Sequence, residues 1–360
     1  MSEIPSLQRA AVAALLRDDV LAMQGYTPGE QVNDCLKLNT NECAWPPSPA
    51  VQACLSQLSG ESMRLYPDPM SHALREAAAA LWGHPANGIV AGNGSDDCLT
   101  MIYRSVLRPG DRVAVPWPTY GLYDTLASIQ GVEMLHVAWQ DHWQLPIQEF
   151  IAAAPRLILV ANPNNPSATM VSVQELVALA EALPQSVVVV DEAYIDYATA
   201  DSSCIPALLT HSNMLVLRTC SKSYALAGAR LGFCLGNPEI IAQFCKVKDS
   251  YNVNALTQAV GLAAIRDQDY HQQLVEDTLA AREDLMADVR KRGWTWPPSC
   301  ANFLLCHVGP QAESIYRALK ARGILLRWWD RPQLRECLRI TVGTPEDQAR
   351  LFQALDEVCA

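Results

Sequence analysis

The sequence predicts an α/β fold: a large domain with a mostly parallel sheet between helices, plus a smaller α+β domain. Three observations predict it. Short runs rich in Val, Leu and Ile recur from Arg112 to Gly236, apolar on both faces and closed by polar or Pro-containing turns; strands covered by helices on each side have this pattern. Helical segments lie between the runs, and strand–helix alternation implies parallel pairing. A chain of 360 residues also exceeds what one core usually organises, so two domains are expected.

Taken in order, Ser95–Leu107 is expected to be helical, because Gly92-Asn93-Gly94-Ser95 is a turn that can open a helix. Arg112–Val115 and Arg156–Val160 follow as strands, then Val173–Leu183 with helical spacing. The runs Val187–Val190, Met214–Leu217 and Leu231–Leu235 complete a set of five strands expected to lie parallel. His271–Arg292 reads as one long amphipathic helix with Gly293 as its C-cap. Asn302–His307, a helix near Ala312–Arg322, Ile324–Arg327, Leu338–Val342 and a final helix from Pro345 make up the smaller domain. The large domain is therefore placed at 46–275, and the smaller one at 276–360 together with an N-terminal arm at 1–45.

Half of the residues are hydrophobic and 18% are charged, which suits a buried core and argues against extended disorder. The net charge of −11 disfavours nucleic acid as a partner, since binding a phosphate backbone needs clustered Lys and Arg. The longest basic run, Arg290-Lys291-Arg292, falls at a helix end. The twelve cysteines include no pair at C-x2-4-C spacing, and the seven histidines are scattered, so no metal site is expected. Met1–Leu16 has acidic Glu3 and no apolar leader, and no apolar stretch approaches the roughly 20 residues of a membrane span. A cytoplasmic protein with reduced cysteines and no membrane partner is the expectation.

Ligands of an open parallel sheet bind outside the carboxyl ends of its strands. The residues after each run are Ala161-Asn162-Pro163-Asn164-Asn165-Pro166, then Asp191-Glu192-Ala193-Tyr194, then Arg218-Thr219-Cys220-Ser221-Lys222-Ser223-Tyr224; Gly92–Asp97 precedes the first helix. Singly these are ordinary: a strand-end Asp caps helices, and Asn and Pro favour turns. Together they meet the demands of pyridoxal 5′-phosphate (PLP). Lys222 can hold the aldehyde and move a proton. Asp191 can face the pyridine nitrogen, and Tyr194 and Asn165 can reach the phenolic oxygen. Amides at Ser95-Asp96, with Ser221 and Arg230, can cradle a phosphate. Tyr120, in Pro118-Thr119-Tyr120-Gly121, is the candidate to stack on the ring.

These segments resemble the class I/II, fold-type I aminotransferases, and within them the histidinol-phosphate aminotransferase family. The resemblance runs from Tyr26-Thr27-Pro28-Gly29 to Leu338-Arg339-Ile340-Thr341-Val342-Gly343-Thr344. Its most specific parts are Leu38–Glu42, Arg64-Leu65-Tyr66-Pro67-Asp68-Pro69, Asn162–Pro166, Asp191–Tyr194 and Thr219–Arg230. It implies PLP as cofactor, with Lys222 as the Schiff-base lysine and general acid/base. Asp191 pairs with the pyridinium, Asn165 and Tyr194 contact the phenolate, and Tyr120 stacks on the ring. Thr219, Ser221, Arg230 and the amides at Ser95 and Asp96 hold the phosphate. Tyr66 is implied to reach that phosphate from a neighbouring subunit, which makes the protein a homodimer with shared sites. Arg339 is implied to bind a substrate carboxylate; Arg327 and Tyr26 receive a distal phosphate, with Asn39 near the substrate.

The reaction so implied is transamination of L-histidinol phosphate with 2-oxoglutarate in histidine biosynthesis. An aromatic-amino-acid aminotransferase or a threonine-phosphate decarboxylase, which Tyr251–Leu256 also resembles, remains open. Departures from the family pattern lie near the entrance. Asn41-Glu42-Cys43-Ala44-Trp45-Pro46-Pro47 replaces Asn-Glu-Asn-Pro-x-Gly-Pro, Ser167-Ala168 replaces Thr-Gly, and Trp328-Trp329-Asp330-Arg331 is bulky. Retention of Lys222, Asp191 and Arg230 argues against a non-catalytic regulator on the same fold.

Overall fold

In the computed structural model the apolar runs form the middle of a seven-stranded sheet. The structure describes residues 12–23, 25–27 and 29–359; the remainder of the arm expected at 1–45, including Pro28 of the family segment, and residue 360 lie outside the described residues. The strands are β1 (Leu36–Lys37), β2 (Ile89–Asn93), β3 (Arg112–Trp117), β4 (Glu133–Ala138), β5 (Leu157–Ala161) and β6 (Val187–Asp191). They continue with β7 (Met214–Thr219), β8 (Leu231–Gly236), β9 (Phe303–His307), β10 (Ile324–Leu325) and β11 (Cys337–Thr341). The large sheet has the order β2-β8-β7-β6-β5-β3-β4.

Strands β4, β3, β5, β6 and β7 pair in parallel. The fifth expected parallel run does not: β8 is antiparallel to both β7 and β2. Between Thr219 and Leu231 the chain forms only a short 3-10 turn at Ala227–Ala229, whereas a parallel return needs a crossover of about a dozen residues, usually a helix. The reversal places the start of β8, and Arg230 just before it, on the edge where β2, β5, β6 and β7 end.

The period-2 alternation of the central strands divides their side chains between two apolar layers. Val189, Leu215 and Leu217 pack with Leu99 and Ile102 of the Ser95–Val106 helix. Val188, Val190 and Val216 pack with Leu176 and Leu179 of the Val173–Ala182 helix. Each such fully buried Val or Leu stabilises by roughly 1.5–3 kcal/mol. The second helix starts at a reciprocal cap, in which Ser172 Oγ accepts from Glu175 N and the Glu175 carboxylate accepts from Ser172 N.

A separate apolar cluster gathers Leu304 and Cys306 of β9, Leu338 and Ile340 of β11, and Leu285 and Val289 of the Gln268–Lys291 helix. Strand β9 pairs antiparallel with β11, and β1 from the N-terminal arm pairs parallel with β10. The long helix ends before Gly293, whose φ of +75° is the left-handed conformation glycine adopts without penalty. Among the described residues all twelve cysteines are unpaired, and no helix is long and apolar enough to cross a membrane.

Candidate active site

A cavity of about 790 Å³ opens at the edge of the sheet where β5, β6 and β7 end. It is lined by every candidate residue read from the sequence except Tyr66. Lys222 lies in the turn after β7, where its Nζ donates to the Thr40 carbonyl at 3.1 Å and sits 5.6 Å from the Tyr194 ring centre. Asp191 ends β6 and is 5% exposed. Its Oδ2 accepts from the Tyr123 hydroxyl at 2.8 Å and its Oδ1 from Ala193 N at 3.2 Å. Burial pushes this carboxyl up to about 6 despite the opposing hydrogen bond from Tyr123.

The end of the cavity near β2 and β8 is shaped by backbone. Gly94, at φ +85°, caps the Ser95–Val106 helix, whose first amides have no partner within the helix. A Cβ on Gly232 of β8 would run into the Ser95 nitrogen and the Gly94 carbonyl carbon, and one on Gly94 would come within 2.6 Å of Arg230 Nη2. Arg230 itself sits at φ +55°, a left-handed conformation costing a non-glycine residue roughly 1–2 kcal/mol. Its Nη2 lies 3.1 Å from Asp96 Oδ2. Thr219 Oγ1 accepts from Ser221 N at 3.1 Å and donates to Ser221 Oγ at 3.0 Å, which fixes both hydroxyls at the strand end. Tyr120 lies edge-on to Tyr26 and Tyr123, with ring centres 5.7 and 5.5 Å away.

The other end is built by the smaller apolar unit. Arg327 and Arg339 form an antiparallel bridge, with Arg327 N donating to Arg339 O at 3.1 Å and Arg339 N to Arg327 O at 2.9 Å. Directly opposed residues project to the same face, so both guanidiniums enter the cavity. Arg339 Nη1 donates to Asn165 Oδ1 and Nη2 to Asn39 O, both at 2.6 Å, while its buried Nε has no partner. Burial, with Arg327 next to it, lowers its pKa to about 10, which still leaves a cation at neutral pH. The Trp329 ring lies 5.3 Å from both guanidinium carbons.

Tyr123 beneath Asp191 had no signal along the chain, whereas the Thr40 carbonyl, Trp329 and Asn41, whose Nδ2 donates to Tyr194 OH at 3.0 Å, fall in segments marked by the family resemblance but without an assigned role. Below the lysine turn, Arg218 is ion-paired to Glu192 at 3.3 Å and to Asp196, which also accepts from Ser223 Oγ. Burial alone would raise the Asp196 carboxyl; Arg218 holds it well below the usual range. Tyr66 is 80% exposed outside the cavity, stacked on Tyr251 with centres 4.3 Å apart.

Residues 33–355 match the family described as aminotransferase class I and II, and the chain belongs to that family. The relatives place it more narrowly. The chain is 41% identical over 95% of its length to histidinol-phosphate aminotransferase 1 of Trichormus variabilis, covering 98% of that protein. It is 37% identical to the histidinol-phosphate aminotransferase of Geotalea uraniireducens, over 95% of this chain and 99% of the relative. The crystal structure of histidinol-phosphate aminotransferase from Sinorhizobium meliloti in complex with pyridoxal-5′-phosphate superposes with a TM-score of 0.87 at 28% identity, over 95% and 97% of the two chains. Within the class, the chain falls in the histidinol-phosphate aminotransferase family.

Proposed function

We propose that the protein is a PLP enzyme transferring the amino group of L-histidinol phosphate to 2-oxoglutarate, as a cytoplasmic homodimer with shared active sites. The observation that carries the reading is the Arg327–Arg339 bridge facing the same cavity as Lys222. It offers two guanidiniums to substrates whose ends are phosphate or carboxylate.

The residues fit the cofactor. Asp191 is a buried carboxyl held near 6, which a protonated ring nitrogen would return to its anionic form. The glycines at 94 and 232 leave room for no side chain beside the Ser95 amide, which keeps an anion cradle open to Thr219, Ser221 and Arg230. Tyr194 accepts from Asn41, and its own O–H remains to donate. Asn165 accepts from Arg339 through Oδ1, which leaves its NH2 as the donor toward the phenolic oxygen. Tyr120 flanks the ring position, and Tyr66 is assigned to the phosphate of the second subunit's site, which its exposure permits.

Bound there, PLP supplies an electron sink for the bond broken at the substrate's α-carbon. Lys222 would hold the aldehyde, and its amine, when free, would serve as the general base and acid that moves the proton of the substrate's α-carbon. Asp191 would pair with the ring nitrogen and favour its protonated form. Arg339 receives the α-carboxylate of 2-oxoglutarate with its fork already oriented by Asn165 and Asn39. Arg327 and Tyr26 receive the phosphate of the amino donor. The same reading assigns cofactor binding to 46–275 and substrate arginines to the unit of 1–45 with 276–360, and the two separate apolar clusters support that division.

The test is to mix the PLP-loaded protein with L-histidinol phosphate in the absence of any 2-oxo acid. Loss of the visible absorbance band to the near-ultraviolet is expected. Conversion by phenylalanine or tyrosine but not by histidinol phosphate would move the donor to the aromatic class. Carbon dioxide release without a 2-oxo acid would identify a decarboxylase.

A further inference from the structure

Among the cations lining the cavity, Arg331 stands apart. Arg230 is paired with Asp96, and Arg339 is bonded to Asn165 and Asn39. Arg331 is exposed, and among the described residues no acceptor is hydrogen-bonded to its guanidinium. Its sequence neighbour Asp330 is engaged by Arg335 at 2.8 Å, and Asp124, which lines the same cavity, by His136 at 2.6 Å. What positions Arg331 is an aromatic face, since its guanidinium carbon lies 5.1 Å from the Trp117 ring centre. That ring is itself stacked on His136 at 4.1 Å.

Stacking on an indole uses the face of a guanidinium and leaves the N–H groups of its edge available. The loop that carries it is fixed. Leu334 N and Arg335 N both donate to Arg331 O, at 2.9 and 2.8 Å, and Trp328 Nε1 donates to Arg335 O at 2.8 Å. Leu334 is buried against Leu305 and Cys337, with Trp329 packed on the same cluster. Arg331 is therefore a positioned cation with unused donors at the cavity wall.

We propose that Arg331 is a second guanidinium for the phosphate of the amino donor, acting beside Arg327 to set the preference for phosphorylated over unphosphorylated amines. The inference rests on the functional reading given above. A carboxylate presents two oxygens, which one arginine fork satisfies; a phosphate monoester presents three and carries a charge of about −1.5 to −2 near pH 7. Arg327 brings one positive charge and the Tyr26 hydroxyl none, which leaves part of that charge unmatched, and Arg331 supplies the remainder.

The experiment measures the half-reaction of the PLP-loaded protein with L-histidinol phosphate and with L-histidinol, so that no acceptor is involved. For the wild-type protein the kcat/KM ratio should favour the phosphorylated donor. In Arg331→Met, which keeps an apolar stem over Trp117, that ratio should fall about tenfold, as expected for one charge-assisted contact at a partly exposed site. Arg331→Lys should recover part of it, because lysine restores the charge without the fork. A wild-type preference with an unmoved ratio in Arg331→Met overturns the inference alone. A wild-type protein without preference removes the phosphorylated donor and the functional reading with it, and this shows before any substitution is made.

Discussion

Replacing Asp191 with asparagine should act in opposite directions on the cofactor-free and cofactor-loaded protein. Burial holds the carboxyl at about 6, against 3.8 for a free aspartate. That difference corresponds to roughly 3 kcal/mol of folding stability. Because the folded pKa is raised, the neutral form's contribution is complete below about pH 4 and is lost as pH rises through about 6. At pH 8 the cofactor-free wild type therefore carries the whole cost of a buried anion, and at pH 5 about half of it. Asparagine has no such titration. Its side chain can still accept from Ala193 N, and the Tyr123 hydroxyl can turn to accept from the new NH2 group. Urea unfolding of the cofactor-free proteins should show Asp191→Asn more stable by about 1–3 kcal/mol at pH 8, with the gain shrinking by about half at pH 5. The loaded enzyme should meanwhile lose the half-reaction by roughly 10²–10³-fold, the scale of removing one preorganised electrostatic partner. A variant less stable than wild type by the same amount at both pH values would refute the reasoning, since the carboxylate would then be fully compensated by its two donors.

Lys222→Ala should abolish turnover without lowering the unfolding midpoint. If Tyr66 serves the neighbouring subunit's site, refolding these chains with Tyr66→Ala chains should restore up to about a quarter of the sites by random pairing. Activity no greater than that of the two parents would reject the shared site. Arg218→Met should destabilise by about 3–5 kcal/mol, because it leaves the buried Glu192 and Asp196 carboxylates without their cation; a deficit below about 1 kcal/mol in urea unfolding would show that this pairing is not what supports the lysine turn.

What was legible along the chain follows the range of the interactions involved. β5 and β7 are buried at every position and β6 at all but its first, so their composition alone marks them. The polar residues that end them point to one edge by topology. β4 carries no such mark, because it is an edge strand whose exposed and half-buried positions mix Glu133 and His136 with apolar residues. β2 carries none either, because Gly92 interrupts a five-residue run. The direction of β8 was readable only from the length of its connection. In the site, Lys222 and Asp191 are placed at strand ends and Arg339 at the middle of β11, whereas Tyr123 meets Asp191 across 68 residues and Asn41 meets Tyr194 across 153. No local pattern encodes such pairs.

The departures from the family pattern are also resolved by contacts rather than by residue type. Asn41 keeps a left-handed backbone at φ +56° and ties three elements together. Its Oδ1 accepts from Thr341 on β11, its carbonyl accepts from Asn302, and its Nδ2 reaches Tyr194 after β6. The change at Cys43-Ala44-Trp45 begins beyond that anchor, and Trp45 packs on the smaller core instead of entering the cavity. Ala168 stands where the family usually has glycine, and it is buried at φ +63°. The position therefore still demands the left-handed conformation, at a cost of roughly 1–2 kcal/mol for alanine. The conformation is held because Ala168 N donates to Asn164 O at 2.7 Å and its carbonyl accepts from Cys300 N at 2.8 Å. The turn keeps its shape although its residue changed, so Asn165, one step along the same turn, still reaches Arg339.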